Sequence, residues 1–403
     1  MLWTPVEGSG AWAAEVFEVR FGVPSRTAGG FFEGRSFDRG MTAADPDVDL
    51  GALESHLSAE LGIEVAGTEV LADGLNLIVA ISTPSEERAY TLRRANKLRH
   101  TSLFNDPERE YRLLERLGDT GIPTPEPVLF CDDASVVGDP FFVTTHLDGE
   151  PFPWGSDLPE RYRNPAARER IGDRLIETLA AIHSLDVEPF GDVCDRKTPV
   201  DQVAQASDRL DVAASVTGRE APRLRAVGDW LRDNAPGTGR TTLVHGDYRP
   251  GNVLFDGADR PELTGVLDWE TAMLGDPLTE LGYFLLDWRD GDDPTLPLDD
   301  LDARYAEEEL ASVREMNEHG HSPFTAKPGS PTRRELVDRY EDLTGIRFEH
   351  DRYYRAHAAF MLATVWADLH RLQVEAGEAS GWDPSVDYMA LVAVAIIDGD
   401  YPL

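Results

Sequence analysis

The sequence of 403 residues contains little cysteine, little lysine and no long apolar runs. Its two cysteines, Cys131 and Cys194, are too few to predict a disulfide framework or a cysteine-ligated metal cluster. Because no run reaches about 18 apolar residues, we expect no membrane-spanning helix and no membrane partner. The first residues lack a basic segment followed by an apolar one, which argues against secretion. A cytoplasmic location is therefore the simplest expectation.

The shortage of lysine accompanies a large excess of acidic residues. Only Lys97, Lys197 and Lys327 occur among 38 basic residues, against 74 acidic ones, and the net charge is -36. Such a surface repels itself at low salt, and molar salt removes the repulsion by shortening the Debye length to about 3 Å. The composition is typical of a halophilic, haloarchaeal protein. The alternative is an acidic patch for a cationic ligand, but the acids are spread along the chain. Non-specific binding to nucleic acid is disfavoured.

Residues 1–40 lack the charge bias of the remaining sequence. They contain five acids and four arginines, and so contribute one unit to the net charge of -36. They also lack clear periodicity, whereas the segment after Met41 is acidic and helical in pattern. We interpret residues 1–40 as a weakly structured arm or an upstream extension of a domain that starts near Met41.

The first half of the chain combines strand patterns with two helices. Residues 49–62 predict an amphipathic helix, and the segments GLNLIVAIS, AYTLRR, PVLFCDD and PFFVTTHLDGE predict strands. Asp106 is a suitable N-cap for a second helix, and Pro107 suits its first position. The glycines and prolines of residues 118–125 end that helix. We expect a lobe with β-strands and an inserted helix over residues 41–149.

The pattern becomes helical after the loop GEPFPWGSDLP. Helices are predicted over 171–182 and roughly 219–234, and the region 277–403 is mainly helical, with EMNEHGHSP as a loop rather than a metal site. TTLVHG, NVLFD and LTGVLDW predict short strands. Asp276 is expected to cap a helix. The second lobe would cover 150–403, and we find no internal repeats.

A histidine, two aspartates and an asparagine surround two of these short strands. In LVHGDYRPGNVLFD, Asp247 follows His245 by two residues and precedes Asn252 by five, and Asp268 ends the next strand in GVLDWE. Asn252 and Asp268 are oxygen ligands that suit Mg2+, which prefers few protein ligands plus phosphate oxygens. Asp247 would then accept or orient a substrate hydroxyl proton, as in kinases. As turn formers, these residues would not need this joint spacing.

Two neighbouring features allow alternative interpretations. His245 is expected to brace the loop rather than to act as a base or a metal ligand. Trp269 and Glu270 either line a substrate cleft or pack beside the metal loop.

The positive charge that ATP phosphates require could come from the strand YTLRR, with an acidic residue of a helix holding that charge in place.

These segments together resemble the aminoglycoside phosphotransferase and choline kinase superfamily. The resemblance rests on HGDYRPGNVLFD and GVLDWETAMLGDPLTELGY, with YTLRR, REYRLLERL, FFVTTHLDGEPF, LAAIHSLD and PTRRELVDRYEDLTG in the family order. It covers roughly residues 60–375 and is strongest to the branch related to kinase-like domains fused to some acyl-CoA dehydrogenases. It implies an α+β, two-lobed protein-kinase-like fold, with a small β-rich N-lobe and a larger, mainly helical C-lobe.

The resemblance also implies roles for individual residues. Asp247 matches the catalytic aspartate, and Asn252 and Asp268 match the Mg2+ ligands. The residues that it implies for nucleotide binding are Gly74, Asn76, Arg93, Glu110, Thr144, Thr145 and His146.

Within this nucleotide-binding set, Glu110 is expected to pair with Arg93. Aminoglycoside kinases carry lysine at the position of Arg93, and this branch often has arginine, a broad fork rather than a point charge. The backbone of Thr144 to His146 matches the hinge that receives adenine. Gly74 and Asn76 lie where a loop would cover the phosphates, although no glycine repeat is present.

The implied function is an ATP- and Mg2+-dependent phosphotransferase that acts on a hydroxyl of a small molecule. A hydroxyacyl compound, an aminoglycoside, choline and a sugar are all candidate acceptors, and the oligomeric state is left open. One rival is a non-catalytic nucleotide-binding module, which Arg93 and the sparse glycines favour but an intact Asp247, Asn252 and Asp268 set disfavours. A second rival, a protein kinase, is disfavoured by the helical C-lobe and by LDWE in place of DFG.

Overall fold

The computed structural model divides into two compact units. It describes residues 48–96, 104–237, 239–377 and 380–403, so the predicted extension over residues 1–40 lies outside the described residues. One unit comprises residues up to Tyr111 with Glu126–His146, and the other comprises Arg112–Pro125 with Leu147–Leu403. The first unit is small and rich in strands, and the second is larger and mainly helical, as predicted.

The first unit is built around an antiparallel sheet of five strands in the order β1-β2-β3-β5-β4. The strands are β1 Gly67–Asp73, β2 Asn76–Thr83, β3 Glu86–Ala95, β4 Pro127–Cys131 and β5 Phe141–Thr145. The helices that begin in this unit are α1 Leu50–Leu61, α2 Pro107–Leu117 and α3 Ala134–Val137. Arg109 N–H donates to Asp106 Oδ1 at 2.9 Å, which confirms the predicted cap of α2.

The core of the first unit follows from two sequence periods. Leu77, Val79 and Ile81 alternate along β2 and are fully buried on one face of the sheet. Leu53 and Leu57 are one turn apart on α1 and are also fully buried in the same cluster. The apolar face of α1, which repeats every four residues, therefore packs against the apolar face of the sheet, which repeats every two.

The second unit contains most of the helices and two small sheets. Its helices are α4 Pro165–Ile182, α5 Pro199–Thr217, α6 Pro222–Asp233, α7 Pro277–Asp287, α8 Asp299–Asp302, α9 Ala311–His319, α10 Arg333–Thr344, α11 Asp351–Glu375 and α12 Asp383–Asp398. Its strands are β6 Arg196–Lys197, β7 Thr242–Val244, β8 Val253–Asp256, β9 Glu262–Val266 and β10 Met273–Gly275. The sheet orders are β6-β10-β7 and β8-β9.

The long helix α11 forms the centre of this unit and fixes the position of α7. It is buried on most sides, with small alanines among its buried residues, and it packs against α5, α6, α7 and α12. Gly282 on α7 faces the backbone of α11, where an added Cβ would lie 2.5 Å from the carbonyl oxygen of Tyr354. Only glycine permits this approach, and it places the next residues of α7 beside the loop that follows β7.

Two parts of the structure differ from the sequence prediction. Helix α5 was not predicted; its buried residues include Gln202 and Arg209, which weaken the apolar period. The loop prediction for EMNEHGHSP is wrong for its first five residues. They belong to α9, which ends at His319, and His321 follows as a buried residue.

No group of three or more His, Cys, Asp or Glu side chains suited to a metal lies among the described residues. No helix in the described ranges is long and apolar enough to span a bilayer.

The excess of acidic residues predicts a fold that gains stability from salt. With a net charge of -36, we expect the melting temperature to rise by several degrees from dilute buffer to molar KCl. The reason is that the Debye length falls from about 30 Å at 0.01 M to about 3 Å at 1 M, which screens the self-repulsion. Differential scanning calorimetry over a KCl series measures this. A flat or falling curve contradicts salt adaptation and favours a local patch for a cationic ligand.

Candidate active site

The loop between β7 and β8 is shaped by one glycine and one buried histidine. Gly246 has φ 86°, and a Cβ there would lie 2.5 Å from the carbonyl oxygen of Thr271. His245 is fully buried; its Nε2–H donates to the Leu267 carbonyl at 2.8 Å, and its Nδ1 accepts from the Asp247 amide at 3.2 Å. Since both ring nitrogens are engaged, the structure confirms that His245 braces the loop.

Glu280 on α7 also fixes this loop, and the sequence analysis missed it. Its carboxylate accepts the amide N–H groups of His245 at 3.0 Å and Gly246 at 2.6 Å. It also accepts from His183 Nε2 at 2.9 Å, and His183 Nδ1 is hydrogen-bonded to the Tyr340 hydroxyl at 2.7 Å. Burial raises the pKa of Glu280, but the hydrogen bond and charge of His183 outweigh it, so the pKa is lowered. A single charged residue inside the mainly apolar run LTELGYFLL was the available signal.

Removal of Glu280 is expected to destabilise the second unit strongly. Glu280→Ala leaves three donors without an acceptor, two of them on the buried His183 and His245, so we expect a loss of about 3–5 kcal/mol in the free energy of unfolding. Glu280→Gln, the matched control, keeps one carboxamide oxygen and is expected to lose less.

Because the folded-state pKa of Glu280 is lowered, its contribution to stability is present above the unfolded pKa of about 4.3 and disappears as pH falls through the folded-state value. Urea unfolding of the wild type and the two variants at pH 7 and pH 4 measures the loss of stability and its dependence on pH. Equal stability of the three proteins would contradict the role of Glu280 in fixing the loop.

Asp247 is the most extensively hydrogen-bonded group of the loop. Its Oδ1 accepts from the Tyr283 hydroxyl at 2.6 Å and from Arg249 Nε at 3.2 Å, and its Oδ2 accepts from Asn252 Nδ2 at 2.7 Å. Its side chain nevertheless remains 26% exposed to solvent. Three donors fix the orientation of the carboxylate and leave one of its four acceptor positions open.

Arg249 and Tyr283 were not predicted as part of this arrangement. Burial lowers the pKa of the Arg249 guanidinium, but Asp247 and other nearby charges outweigh it, so the pKa is raised. Burial and the charge of Asp247 raise the pKa of Tyr283 well above its ordinary value, so its hydroxyl stays protonated as a donor. Both groups therefore act as hydrogen-bond donors to the Asp247 carboxylate.

The β8-β9 hairpin brings Asn252 and Asp268 to the same place. Val253 pairs with Val266, and the Leu267 amide donates to the Asn252 carbonyl at 2.8 Å, so Asp268 follows directly beside Asn252. Asn252 Nδ2 donates to both Asp247 O and Oδ2, at 2.9 and 2.7 Å. The amide is thereby oriented with its Oδ1 left as the acceptor. An amide oxygen and a carboxylate, with no thiolate or imidazole, are a donor set that fits a hard cation such as Mg2+.

In the sheet-rich unit, the structure brings Arg93 and Glu110 together. Arg93 Nη1 lies 3.5 Å from Glu110 Oε1, and the side chains are 10% and 2% exposed. Gly74 lies in the two-residue connection between β1 and β2, and Asn76 is buried as the first residue of β2. The pair is positioned by β3 and by the first turn of α2.

The backbone at the end of β5 is already used in part. The Thr145 amide donates to the Glu126 carbonyl at 2.9 Å, and the His146 amide donates to the Ala89 carbonyl at 3.0 Å. Thr144 is buried and pairs with both neighbouring strands. An adenine base bound at this segment would therefore need hydrogen-bond partners other than these two amide N–H groups.

Trp269 and Glu270 are packing residues in this structure. They are 1% and 4% exposed. Trp269 Nε1 donates to the Val266 carbonyl at 3.1 Å, and its ring lies 4.6 Å from that of His245. The sequence allowed these two residues either to line a substrate cleft or to pack beside the loop that carries Asp268. Their burial favours packing.

Comparison with known sequences places this site within one family. The sequence model of the phosphotransferase enzyme family matches residues 67–316, more than half of the chain. Acyl-CoA dehydrogenase family member 11 of Homo sapiens is 33% identical over 188 residues, which are 44% of this chain and 23% of that protein. Its counterpart in Gallus gallus is 36% identical over 185 residues, 44% and 22% of the two chains. The match thus takes up less than a quarter of these relatives, and it confirms the predicted resemblance.

Comparison with solved structures bears on the fold. A Ralstonia eutropha protein provisionally assigned as an aminoglycoside phosphotransferase has a TM-score of 0.62 and 24% identity, covering 86% of this chain and 98% of that one. The GDP complex of aminoglycoside 2'-phosphotransferase-IIIa has a TM-score of 0.54 and 15% identity, covering 86% and 99%. A spectinomycin phosphotransferase with ADP and spectinomycin has a TM-score of 0.53 and 12% identity, covering 87% and 99%. The predicted α+β kinase-like fold is confirmed.

Proposed function

The chain belongs to the phosphotransferase enzyme family, and on that premise we propose that it transfers the γ-phosphoryl group of ATP to a hydroxyl of a small molecule, with Mg2+ as cofactor. The observation that carries the proposal is the arrangement of Asp247 against Asn252, with Asp268 beside them at the end of the β8-β9 hairpin. These three side chains match the acceptor-orienting and metal-binding groups of phosphoryl transfer of this type.

Asp247 would orient the acceptor hydroxyl. Its open acceptor position receives the hydroxyl proton as the acceptor oxygen forms its bond to the γ-phosphorus and the bond to the β-phosphate oxygen breaks. Tyr283 and Arg249 hold the carboxylate in one orientation, so little rearrangement is needed at the moment of transfer. The main contribution of Asp247 would therefore be to position the acceptor hydroxyl.

Asn252 Oδ1 and the Asp268 carboxylate would hold Mg2+. When bound there, the ion would supply positive charge against the negative charge that develops during transfer. In the sheet-rich unit, Arg93, held by Glu110, would supply a cation for the nucleotide phosphates. Gly74, Asn76 and the backbone from Thr144 to His146 would serve the nucleotide as the family pattern implies.

A non-catalytic nucleotide-binding module is the alternative function. The engaged amides of Thr145 and His146, Arg93 in place of lysine and the lack of a glycine repeat favour it. The oriented Asp247 argues against it, because a binding module has no need to fix a catalytic carboxylate with three donors.

The acceptor is the least constrained part of the proposal. The named relatives are acyl-CoA dehydrogenase family members, which makes a hydroxyacyl compound one candidate. The named structural neighbours include a complex with spectinomycin, which makes a polyhydroxylated compound another.

ADP release tests the proposed function directly. Wild-type protein in Mg-ATP is mixed with a panel of hydroxylated compounds that includes hydroxyacyl-CoA, aminoglycosides, choline, polyols and sugars. We expect at least one compound to raise ADP release above the slow hydrolysis of ATP alone. ATP binding without ADP release for any compound would favour the binding module.

A further inference from the structure

Arg249 is held differently from other buried arginines of this chain. Its side chain is 3% exposed, and its Nε donates to Asp247 Oδ1 at 3.2 Å, which is the one hydrogen bond of its guanidinium to the described part of the chain. In four other buried arginines both Nη groups donate hydrogen bonds: Arg168, Arg289, Arg333 and Arg355. The guanidinium of Arg249 therefore depends on contacts other than hydrogen bonds to stay in place.

The aromatic ring of Trp154 supplies one such contact. The guanidinium carbon of Arg249 lies over this ring, 4.5 Å from its centre, and Trp154 is 9% exposed. A cation is attracted to the face of an aromatic ring, and the attraction is stronger when both groups are removed from water. Because the ring contacts the face of the guanidinium, the N–H donors in the guanidinium plane stay available. Nε can therefore serve Asp247.

Gly251 leaves the space that this position of the guanidinium requires. A Cβ added at Gly251 would lie 2.3 Å from Arg249 Nη1. A larger residue would therefore displace the end of the arginine side chain. The guanidinium is confined by the Trp154 ring and by the backbone of its own loop.

Backbone hydrogen bonds fix Trp154 beside the loop that carries the arginine. The Phe152 amide donates to the Pro250 carbonyl at 3.1 Å, and the Gly155 amide donates to the His321 carbonyl at 2.8 Å. The rings of Trp154 and His321 lie 4.8 Å apart. The short segment that carries the ring is therefore attached at both of its ends, which limits the movement of the ring.

The indole N–H of Trp154 is only weakly engaged. Trp269 Nε1 and Trp288 Nε1 each donate to a backbone carbonyl, at 3.1 and 2.7 Å. Trp154 Nε1 makes no full hydrogen bond within the described residues. It does lie near Asp287, because burial raises the pKa of that carboxyl to about 6 against several lowering influences that include this N–H. The well-defined contact of Trp154 is the one between its ring and the guanidinium.

We propose that Trp154 is a positioning residue for phosphoryl transfer, because its ring holds Arg249 and Arg249 in turn orients Asp247. This rests on the proposed function. Without the ring, the guanidinium can leave the place from which Nε reaches the carboxylate, and a misplacement of about 1 Å can cost up to a hundredfold in rate. The role concerns the rate of transfer rather than the affinity for nucleotide, because Asp247 acts on the acceptor.

Two substitutions separate the ring from its N–H. Trp154→Phe keeps an aromatic face and loses the N–H, whereas Trp154→Leu loses both. We expect Trp154→Leu to lower kcat about tenfold and Trp154→Phe to stay within about threefold of the wild type, with unchanged affinity for Mg-ATP in both. ADP release with the acceptor that the panel identifies gives kcat, and calorimetry gives the affinity. Trp230→Leu, the same change at a half-buried tryptophan of α6, should leave both values unchanged.

A double-mutant cycle shows whether Trp154 acts through Arg249. Arg249→Met removes the guanidinium and keeps a long side chain. In that background Trp154→Leu should change kcat by less than about twofold, because residues that act through one contact have non-additive effects. A purely structural role of Trp154 would give the same loss in both backgrounds.

A third readout does not depend on turnover. The Nε–H signal of Arg249 in a 15N spectrum is identified by its absence in Arg249→Lys. We expect Trp154→Leu to shift this signal, because the ring current is lost, and to speed its exchange with water. Trp230→Leu should leave the signal unchanged. This readout also replaces the cycle if Arg249→Met does not fold.

Failure of this proposal is distinguishable from failure of the proposed function. In an active protein, wild-type kcat in Trp154→Leu, equal losses in Trp154→Leu and Trp154→Phe, or an additive cycle overturns the role of the ring while the proposed function stands. If no acceptor raises ADP release, the proposed function fails and the Nε–H signal decides. A shifted, faster-exchanging signal in Trp154→Leu then supports the hold of the ring on Arg249, and an unchanged signal overturns it.

Discussion

Asp247→Asn is expected to bind Mg-ATP within a few-fold of the wild type and to lose most of its turnover. The expected loss is roughly a hundredfold or more in rate, which corresponds to about 2.7 kcal/mol of transition-state stabilisation. The side chain keeps its shape, but the charge that orients the acceptor hydroxyl is gone. Nucleotide affinity should change little, because Asp247 acts on the acceptor. Calorimetry with Mg-ATP and ADP release with an acceptor measure the two effects.

A neighbouring aspartate provides the control for this variant. Asp256 ends β8 and is exposed, so Asp256→Asn makes the same chemical change without contact to the site. It should retain wild-type affinity and turnover. A variant at Asp247 with the turnover of an active wild type would show that Asp247 is not the catalytic residue.

Asp268→Ala is expected to abolish both turnover and the thermal stabilisation by ATP in Mg2+ buffer. A ligand at a hundred times its dissociation constant stabilises the folded state by about 2.7 kcal/mol, and that stabilisation should disappear when a carboxylate ligand of the metal is removed. The measurement is the shift in melting temperature with Mg-ATP, together with ADP release. Asp259→Ala, in the exposed turn of the same hairpin, should behave as the wild type.

The backbone at Asp268 requires a second variant. Asp268 has φ 65°, a conformation that aspartate and asparagine adopt more readily than alanine. Asp268→Asn keeps that backbone while removing the charge, so it separates metal binding from a change in fold stability. Unchanged ADP production by both variants would exclude Asp268 as a metal ligand.

Local features of the sequence were sufficient to predict the core of the candidate site. His245, Asp247 and Asn252 lie within eight residues, and one hairpin register brings Asp268 beside Asn252. A short turn and a short antiparallel pairing are specified by nearby residues, so their consequences can be predicted without tertiary information. The cap of α2 at Asp106 is local in the same sense.

The groups that the sequence did not predict depend on contacts between distant segments. Glu280 is 34 residues from Gly246, and Tyr283 is 36 residues from Asp247. Both reach the loop because α7 packs closely on α11 through Gly282, which no local pattern specifies. His321 follows a helix that the sequence analysis treated as a loop, and its burial beside Trp154 is again a tertiary result.

The most direct test of the account asks whether the γ-phosphoryl group of ATP reaches an acceptor oxygen. The products of wild-type protein, Mg-ATP and the hydroxyl-compound panel are analysed by mass spectrometry, with Asp247→Asn in parallel. The account predicts a phosphorylated acceptor in the wild-type reaction and roughly a hundredfold less of it with the variant. ATP binding by both proteins, without a phosphorylated product from any compound, would contradict the account and identify the chain as a nucleotide-binding module.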